Sequence, residues 1–528
     1  MKHLLFTTFF LSLLGCRSQT DTPPQAITFE KDLLSLQEYF HIPGMAVLVQ
    51  QENEILYENY IGYADIETEK PVEDNTIFPI MSLSKTFAST LCLQLESEGK
   101  LDLDAPINTW LPETTLPPTV TLTHLLSHTS EGTPGTAFNY SSRYSLISNI
   151  LEKATGIPYE QLLQERIIQA MGLSQTTPLS NQDIIDSLKL HLASPYEFYG
   201  ETVKGHYDTG VSAASGLSAT ARDLAAFLRG VENGELLSAE SRKKQITPLK
   251  NPKGQPLPYG LGTFSQTWED KQLVWGYGQE DCFSSLLLSV PEEKLSLIIL
   301  ANNNLMSNPP RLINGDLRYS LFALSFLRHY VFAEEESLPI LLSENTLVET
   351  SPLPSYPLNR QIILANALAA SFLGQGFPEE QEKSKVLASA LLKQYPEVTE
   401  YGNISTLHLL MTLSGSGDDP IFQEAMLNLG NHLLQEQPEN PYINIYMAFF
   451  YQGQGKAAKA IPYFQAIADA ENYRPFWYTI EAWYELGMYY QDTQPEIAKA
   501  YLQKVVDLGW NIGNKVELAK EVLVGWEE

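Results

Sequence analysis

Ile80-Met81-Ser82-Leu83-Ser84-Lys85-Thr86-Phe87 joins the apolar run Ile77-Phe78-Pro79-Ile80-Met81 to a helix expected over Leu83 to Leu95 and closed by Gly99. At the start of a helix, Ser-x-x-Lys sets Ser82 and Lys85 on one face, one turn apart. The lysine then serves as base or electrostatic support for the serine. The helix N-terminus adds N–H groups and partial positive charge where an oxyanion forms. The pattern occurs three times, as Ser82/Lys85, Ser97/Lys100 and Ser241/Lys244. Ser97 stands at a helix end beside Gly99, and Ser241 lies in a highly charged stretch. Ser82 opens an amphipathic helix and is the candidate nucleophile.

Working outward, Met45 to Val49 and Glu54 to Tyr57 read as strands around the polar turn Gln51-Glu52-Asn53. Ser142 to Ala154 reads as a second helix closed by Gly156, Ile157-Pro158 through Met171 as a third, and Leu217 to Gly230 as a fourth. Leu273 to Tyr277, Ser284 to Val290 and Leu295 to Leu300 read as three further strands. Strands at both ends with helices between them predict one α/β unit, a sheet built from both ends with a helical insert. Residues 334–358 are rich in Glu, Ser and Pro and read as a linker. From Asn359 the chain reads as all-helical. Tyr446, Tyr451, Ala460, Tyr463 and Phe464 recur 38 residues later as Tyr484, Tyr489, Ala498, Tyr501 and Leu502. That suggests stacked helix-turn-helix repeats, similar to tetratricopeptide repeats of about 34 residues.

The 528 residues are too many for one ordinary domain. A hydrophobic content of 44% supports real cores, and a net charge of −29 disfavours nucleic acid as a partner. Lys2 and His3 precede the apolar run Leu4 to Leu14, which is too short to span a bilayer and reads as a secretory signal. Leu13-Leu14-Gly15-Cys16 resembles a bacterial lipobox, so Cys16 is the expected lipidation site. The expected location is a bacterial cell envelope or periplasm, anchored by lipid to the outer membrane. Cys92 and Cys282 both read as packing residues, and no Cys/His cluster has zinc spacing. No metal or cofactor is expected.

The Ser82 segment, with Glu98-Gly99-Lys100-Leu101-Asp102-Leu103-Asp104-Ala105-Pro106 and Leu111-Pro112-Glu113, resembles the serine β-lactamase-related family. That family includes class C β-lactamases, penicillin-binding DD-peptidases and esterases. Leu125-Leu126-Ser127-His128-Thr129-Ser130, Gly216 to Leu224, Tyr259-Gly260-Leu261-Gly262 and Leu300-Ala301-Asn302 match its later landmarks in order, over roughly residues 30 to 305. The resemblance implies a β-lactamase/transpeptidase-like antiparallel sheet flanked by helices. The implied layout is a lipoprotein signal over 1–16, a tether over 17–28, a hydrolase domain over 29–333, the linker over 334–358 and an α-helical, tetratricopeptide-like domain over 359–528.

The resemblance also implies roles. In Phe138-Asn139-Tyr140-Ser141-Ser142, Tyr140 would be the general base, its pKa lowered by Lys85, and Ser142 would help fix Lys85 and the substrate. The third motif falls on Val274-Trp275-Gly276-Tyr277-Gly278-Gln279. Gly276 stands where relatives carry Lys or His, Gly278 keeps the small residue beside substrate, and Gln279 N–H would join Ser82 N–H as an oxyanion hole. Tyr277 is a candidate to fill the gap left by Gly276. The family mechanism does not use a histidine, so His124 and His128 are expected to be structural. The implied activity is hydrolysis of a peptide, amide or ester through an acyl-enzyme, DD-peptidase-like or esterase-like rather than efficient β-lactam hydrolysis. The alternative is a catalytically weakened binding module whose helical repeats contact a protein partner.

Overall fold

The structure, a computed structural model, describes residues 24–332, 337–343, 357–415, 419–470, 476–509 and 512–526. The expected signal with Cys16, residues 17–23 of the tether and most of the 334–358 segment lie outside the described residues.

Seven strands form the main sheet: β1 (Gly44–Gln51), β2 (Glu54–Asp65), β3 (Lys70–Pro71), β4 (Phe264–Trp268), β5 (Lys271–Glu280), β6 (Phe283–Val290) and β7 (Leu295–Ala301). Their order is β3-β2-β1-β7-β6-β5-β4, and every neighbouring pair is antiparallel. The first and last strands are neighbours, with Val47 opposite Ile299, so the sheet is built from both ends of the unit as expected. β1 is buried from Gly44 to Gln50 because both faces of the sheet are covered. Met45, Val47 and Val49 enter one core, while Ala46 and Leu48 enter the other.

The second core holds α2 (Ser84–Ser97) and α3 (Ala221–Glu232), joined by Phe87 and Phe227 with ring centroids 3.8 Å apart. The expected helix over Leu217 to Gly230 is divided. Leu217–Ala219 is a short strand, paired with Phe78–Pro79 and Thr177–Pro178. Thr220 then caps α3 by accepting from Asp223 N.

The first core begins with α1 (Pro24–Tyr39), which occupies the last residues of the expected tether. Ala26, Phe29, Leu33 and Leu36 follow helical spacing and are buried on the sheet. The tether reading therefore fails from Pro24 onward, because this stripe needs a partner.

The same core continues into the C-terminal helices α4 (Pro357–Leu373), α5 (Pro378–Gln394), α6 (Ile404–Gly415), α7 (Pro420–Glu436) and α8 (Pro441–Gly453). Beyond them lie α9 (Ala457–Asp469), α10 (Phe476–Tyr490), α11 (Pro495–Leu508) and α12 (Lys515–Gly525). Proline at the first turn of α5, α7, α8 and α11 marks where these helices start. The repeat seen in sequence places buried Ala460 and Phe464 on α9, and buried Ala498 and Leu502 on α11.

Part of the expected linker is also packed. Leu338, Ile340 and Leu342 alternate into the core. Asn359 and Asn366 of α4 accept from the N–H groups of Leu338 (2.7 Å) and Leu342 (3.0 Å). Polar contacts reinforce the junction. Tyr319 and Thr406 hydroxyls lie 2.6 Å apart, Asn403 Nδ2 donates to Asp316 Oδ2 (3.1 Å), and Arg311 Nη2 donates to Tyr446 OH (2.8 Å). The helical region thus shares the first core and packs against Leu317–Tyr319, Leu321–Phe326 and the stretch around Leu338, rather than hanging at the end of a tether.

Candidate active site

Ser82 lies in the single 3-10 turn Met81–Leu83 that precedes α2. Met81 has φ +48, a left-handed conformation that costs a side-chain-bearing residue about 1–3 kcal/mol. The turn is held on both sides. Ser84 Oγ donates to Met81 O (2.7 Å) and accepts from Leu217 N (3.2 Å). Ser285 Oγ donates to Ile80 O (2.8 Å).

Lys85, one turn further on, is buried and donates from Nζ to Ser82 Oγ and to Ala214 O, both at 2.9 Å. Burial pulls its pKa down to about 7, and Glu280 acts in the opposite sense. The serine and the lysine therefore meet as their spacing predicts.

Tyr140 hydrogen-bonds to Ser82, and Lys85 Nζ lies 4.9 Å from its ring centre. Its hydroxyl differs from expectation. Burial, with Glu280 adding to it, holds the phenol above its usual range, and only the bond to Ser82 lowers it. A lysine that is itself half neutral near pH 7 has little charge with which to stabilise a phenolate.

A buried polar network positions Tyr140. Asn139 Nδ2 and Ser141 Oγ, its two chain neighbours, donate to the carboxylate of Glu131 at 2.8 and 2.5 Å. Arg143 donates from Nη1 to Ser130 O (2.7 Å), and its Nε lies 3.9 Å from Glu131. Sequence reading missed Glu131 and Arg143. A buried acidic residue flanked by Ser and Gly carries no local pattern that distinguishes it from a surface turn.

His128 stacks on Tyr140 with ring centres 4.2 Å apart and accepts from Ser141 N through Nδ1 (2.9 Å). The remaining proton of the neutral ring is then on Nε2, which has no hydrogen-bond partner among the described residues. Burial keeps the imidazole neutral, so it packs Tyr140 rather than receiving a proton. Ser142 is exposed at the start of the next 3-10 turn. No hydrogen bond joins it to Lys85 among the described residues, and Ala214 O takes that place.

The opposite wall is β5. A Cβ on Gly278 would lie 2.1 Å from Ile80 O, so only glycine lets this strand approach the Ser82 turn so closely. A Cβ on Gly276 would meet Leu83 Cδ1 at 2.9 Å and Thr86 Cγ2 at 3.3 Å. Position 276 therefore faces α2, and Leu83 fills the space where a Lys or His stem would start. Tyr277 is on the other face of β5, with its ring centre 5.8 Å from that of Tyr140. Tyr442 of α8 acts electrostatically on the buried Tyr277 phenol. Gln279 is half-buried at the end of β5, opposite Ser284. Glu280 follows and acts electrostatically on Lys85, Tyr140 and Tyr277.

Residues 35–315 match the family model described as beta-lactamase. A penicillin-binding protein of Bacillus subtilis (strain 168) is 23% identical over 342 residues, which is 56% of this chain and 73% of that protein. A D-aminopeptidase of Gluconobacter oxydans (strain 621H) is 24% identical over 311 residues, 52% of this chain and 58% of the relative. An esterase of Burkholderia gladioli is 28% identical over 178 residues, 25% of this chain and 45% of the relative. Among solved structures, the octameric penicillin-binding protein homologue from Pyrococcus abyssi superposes with a TM-score of 0.49 at 22% identity, over 52% of this chain and 73% of that one. The ordered landmarks, the sheet closed between β1 and β7 and the family match over more than half of the sequence agree: the chain belongs to the β-lactamase family of serine hydrolases.

Proposed function

We propose that Ser82 is the nucleophile of an acyl-transfer hydrolase acting on peptide, amide or ester substrates. The observation that carries this reading is the 2.9 Å hydrogen bond from a buried, partly neutral Lys85 to Ser82 Oγ. Neutral Lys85 takes the Oγ proton as Oγ bonds to the substrate carbonyl carbon. The proton then passes to the leaving group, with the protonated Tyr140 hydroxyl as the donor beside Ser82. Water attacks the acyl carbon and gives a proton to the Lys85–Tyr140 pair, which passes it to Ser82 Oγ as the acyl–oxygen bond breaks. The N–H groups of Ser82 and Gln279 are the proposed oxyanion donors, with Gly278 holding β5 close enough for both to act.

The β5 wall bears on substrate class. Position 276 offers no cation for a substrate carboxylate, and Glu280 adds negative charge at the edge of the site. Esters, and amides or peptides without an anionic group beside the scissile bond, fit this wall better than β-lactams. The names of the D-aminopeptidase and esterase relatives are consistent with that choice. The proposed cellular setting is the bacterial envelope, through lipidation at Cys16. Any protein partner would meet the outer helices α9 to α12.

A fluorescent phosphonate probe tests the chemistry. Labelling that disappears in Ser82→Ala is the expected result. Absence of labelling by phosphonate and β-lactam probes alike would favour the binding-module reading. Turnover of p-nitrophenyl esters, D-amino-acid anilides, D-Ala-D-Ala peptides and a chromogenic cephalosporin then ranks the substrate classes.

A further inference from the structure

We propose that Glu197, His206 and Cys282 form a binding site for zinc, which ties the hairpin Tyr196–Phe198/Thr202–Lys204 to the turn between β5 and β6. Glu197 and His206 stand at one hairpin and Cys282 in a distant turn, so no metal-site spacing in the sequence announces them. Each offers one ligand atom, and these atoms lie within 4.8 Å of one another. Cys282 Sγ is 3.9 Å from Glu197 Oε1. Around a tetrahedral zinc with a sulfur bond of ~2.3 Å and an oxygen bond of ~2.1 Å, those atoms stand roughly 3.6 Å apart. Small side-chain shifts close the site.

Three further observations support a cation here. The first is Gly205, which precedes His206. A Cβ at this position would lie 2.3 Å from Cys282 Sγ and 2.9 Å from Glu197 Oε1. The missing side chain is what allows the ligand atoms to converge.

The second is orientation. The Tyr199 hydroxyl donates to Glu197 Oε2, leaving Oε1 turned to the thiol. Outer hydrogen bonds of this kind hold metal ligands in place.

The third is charge. Among the described residues, no Lys or Arg forms an ion pair with Glu197, Asp208 or Asp281, although all three act on Cys282. Asp208 Oδ1 is 3.6 Å from His206 Nε2 and adds to the negative charge around the three ligands. A thiolate with an imidazole selects zinc over calcium or magnesium, which take oxygen ligands.

Cys282 is two residues beyond Glu280, so the ion would fix the end of the cleft wall formed by β5. The inference does not depend on the chemistry proposed for Ser82.

The test uses the purified full-length protein, stripped with chelator and titrated with cobalt(II), then zinc. One cobalt per chain is expected, with a sulfur-to-cobalt charge-transfer band in the near ultraviolet that zinc displaces. Cys282→Ser should abolish the band. Gly205→Val keeps every ligand but fills the gap, and should weaken binding more than about tenfold, as should His206→Ala at an exposed position. No band in the wild-type protein overturns the proposal, as does a band that survives Cys282→Ser. If the cysteine variant fails to fold, unchanged cobalt affinity in folded His206→Ala overturns it equally.

Discussion

The two walls of the cleft are built in different ways. The wall that carries Ser82, Lys85 and Tyr140 is made of short local motifs locked by backbone hydrogen bonds and the Glu131 network. The β5 wall carries Gly276 and Tyr277 on opposite faces, and Tyr442, from a helix far along the chain, acts on the Tyr277 phenol. The first holds the proposed nucleophile and its two partners in a fixed geometry. The second is where, under the proposed function, substrate would be selected, and there this chain departs from the Lys or His its resemblance implied.

The comparison breaks most decisively at Ser82. Ser82→Ala should lower kcat for a small ester by about 10⁴–10⁶-fold, measured by steady-state kinetics, with an unchanged thermal unfolding transition. Residual activity within about tenfold of wild type would move the chemistry elsewhere.

The pH profile comes next. Lys85 must be neutral to accept a proton, and burial holds it at about 7. Below that value the protonated form dominates, so kcat/KM should fall about tenfold per pH unit between pH 6 and 4 and level off above pH 8. A profile that rises only near the phenol range would give the base role to Tyr140.

Gly278→Ala probes the seam between the walls. Its Cβ must displace Ile80 O from 2.1 Å, so about 1–3 kcal/mol of stability should be lost in urea unfolding. Gly276→Lys should also destabilise, because Leu83 occupies the space, and it should not confer cephalosporin turnover.

The smallest effect is expected at Tyr442→Ala. KM for bulky esters should change severalfold with kcat nearly kept, as befits a residue that acts on the selecting wall. Equal changes for large and small esters would separate Tyr442 from that wall.

These differences explain what was legible in the sequence. Ser82, Lys85 and Tyr140 were readable because helix geometry and short loops turn spacing into proximity. The strands β1, β5, β6 and β7 were readable because their central residues are buried on both faces and form short apolar runs. Leu217–Ala219 was taken into α3 because a three-residue segment before a helix does not reveal the strand partners waiting at Phe78 and Thr177. The stretch around Leu338 resembled a linker because its backbone is satisfied by Asn359 and Asn366, partners that composition cannot show. Glu131 and Tyr442 were missed for the same reason: their significance lies in neighbours supplied by other segments.

The continuous core on one sheet face also sets an order of events at the ribosome. β1 pairs with β2, its neighbour in sequence, but its other edge waits for β7, and the core begun by α1 on the Val47 face stays incomplete until α4 to α8 arrive. At ~5–20 residues per second, the stretch after Phe332 takes roughly 10–40 s to make. For that interval the hydrolase half is an unfinished surface that any passing apolar segment could occupy. The length of the C-terminal region thus sets how long that apolar surface waits for its cover.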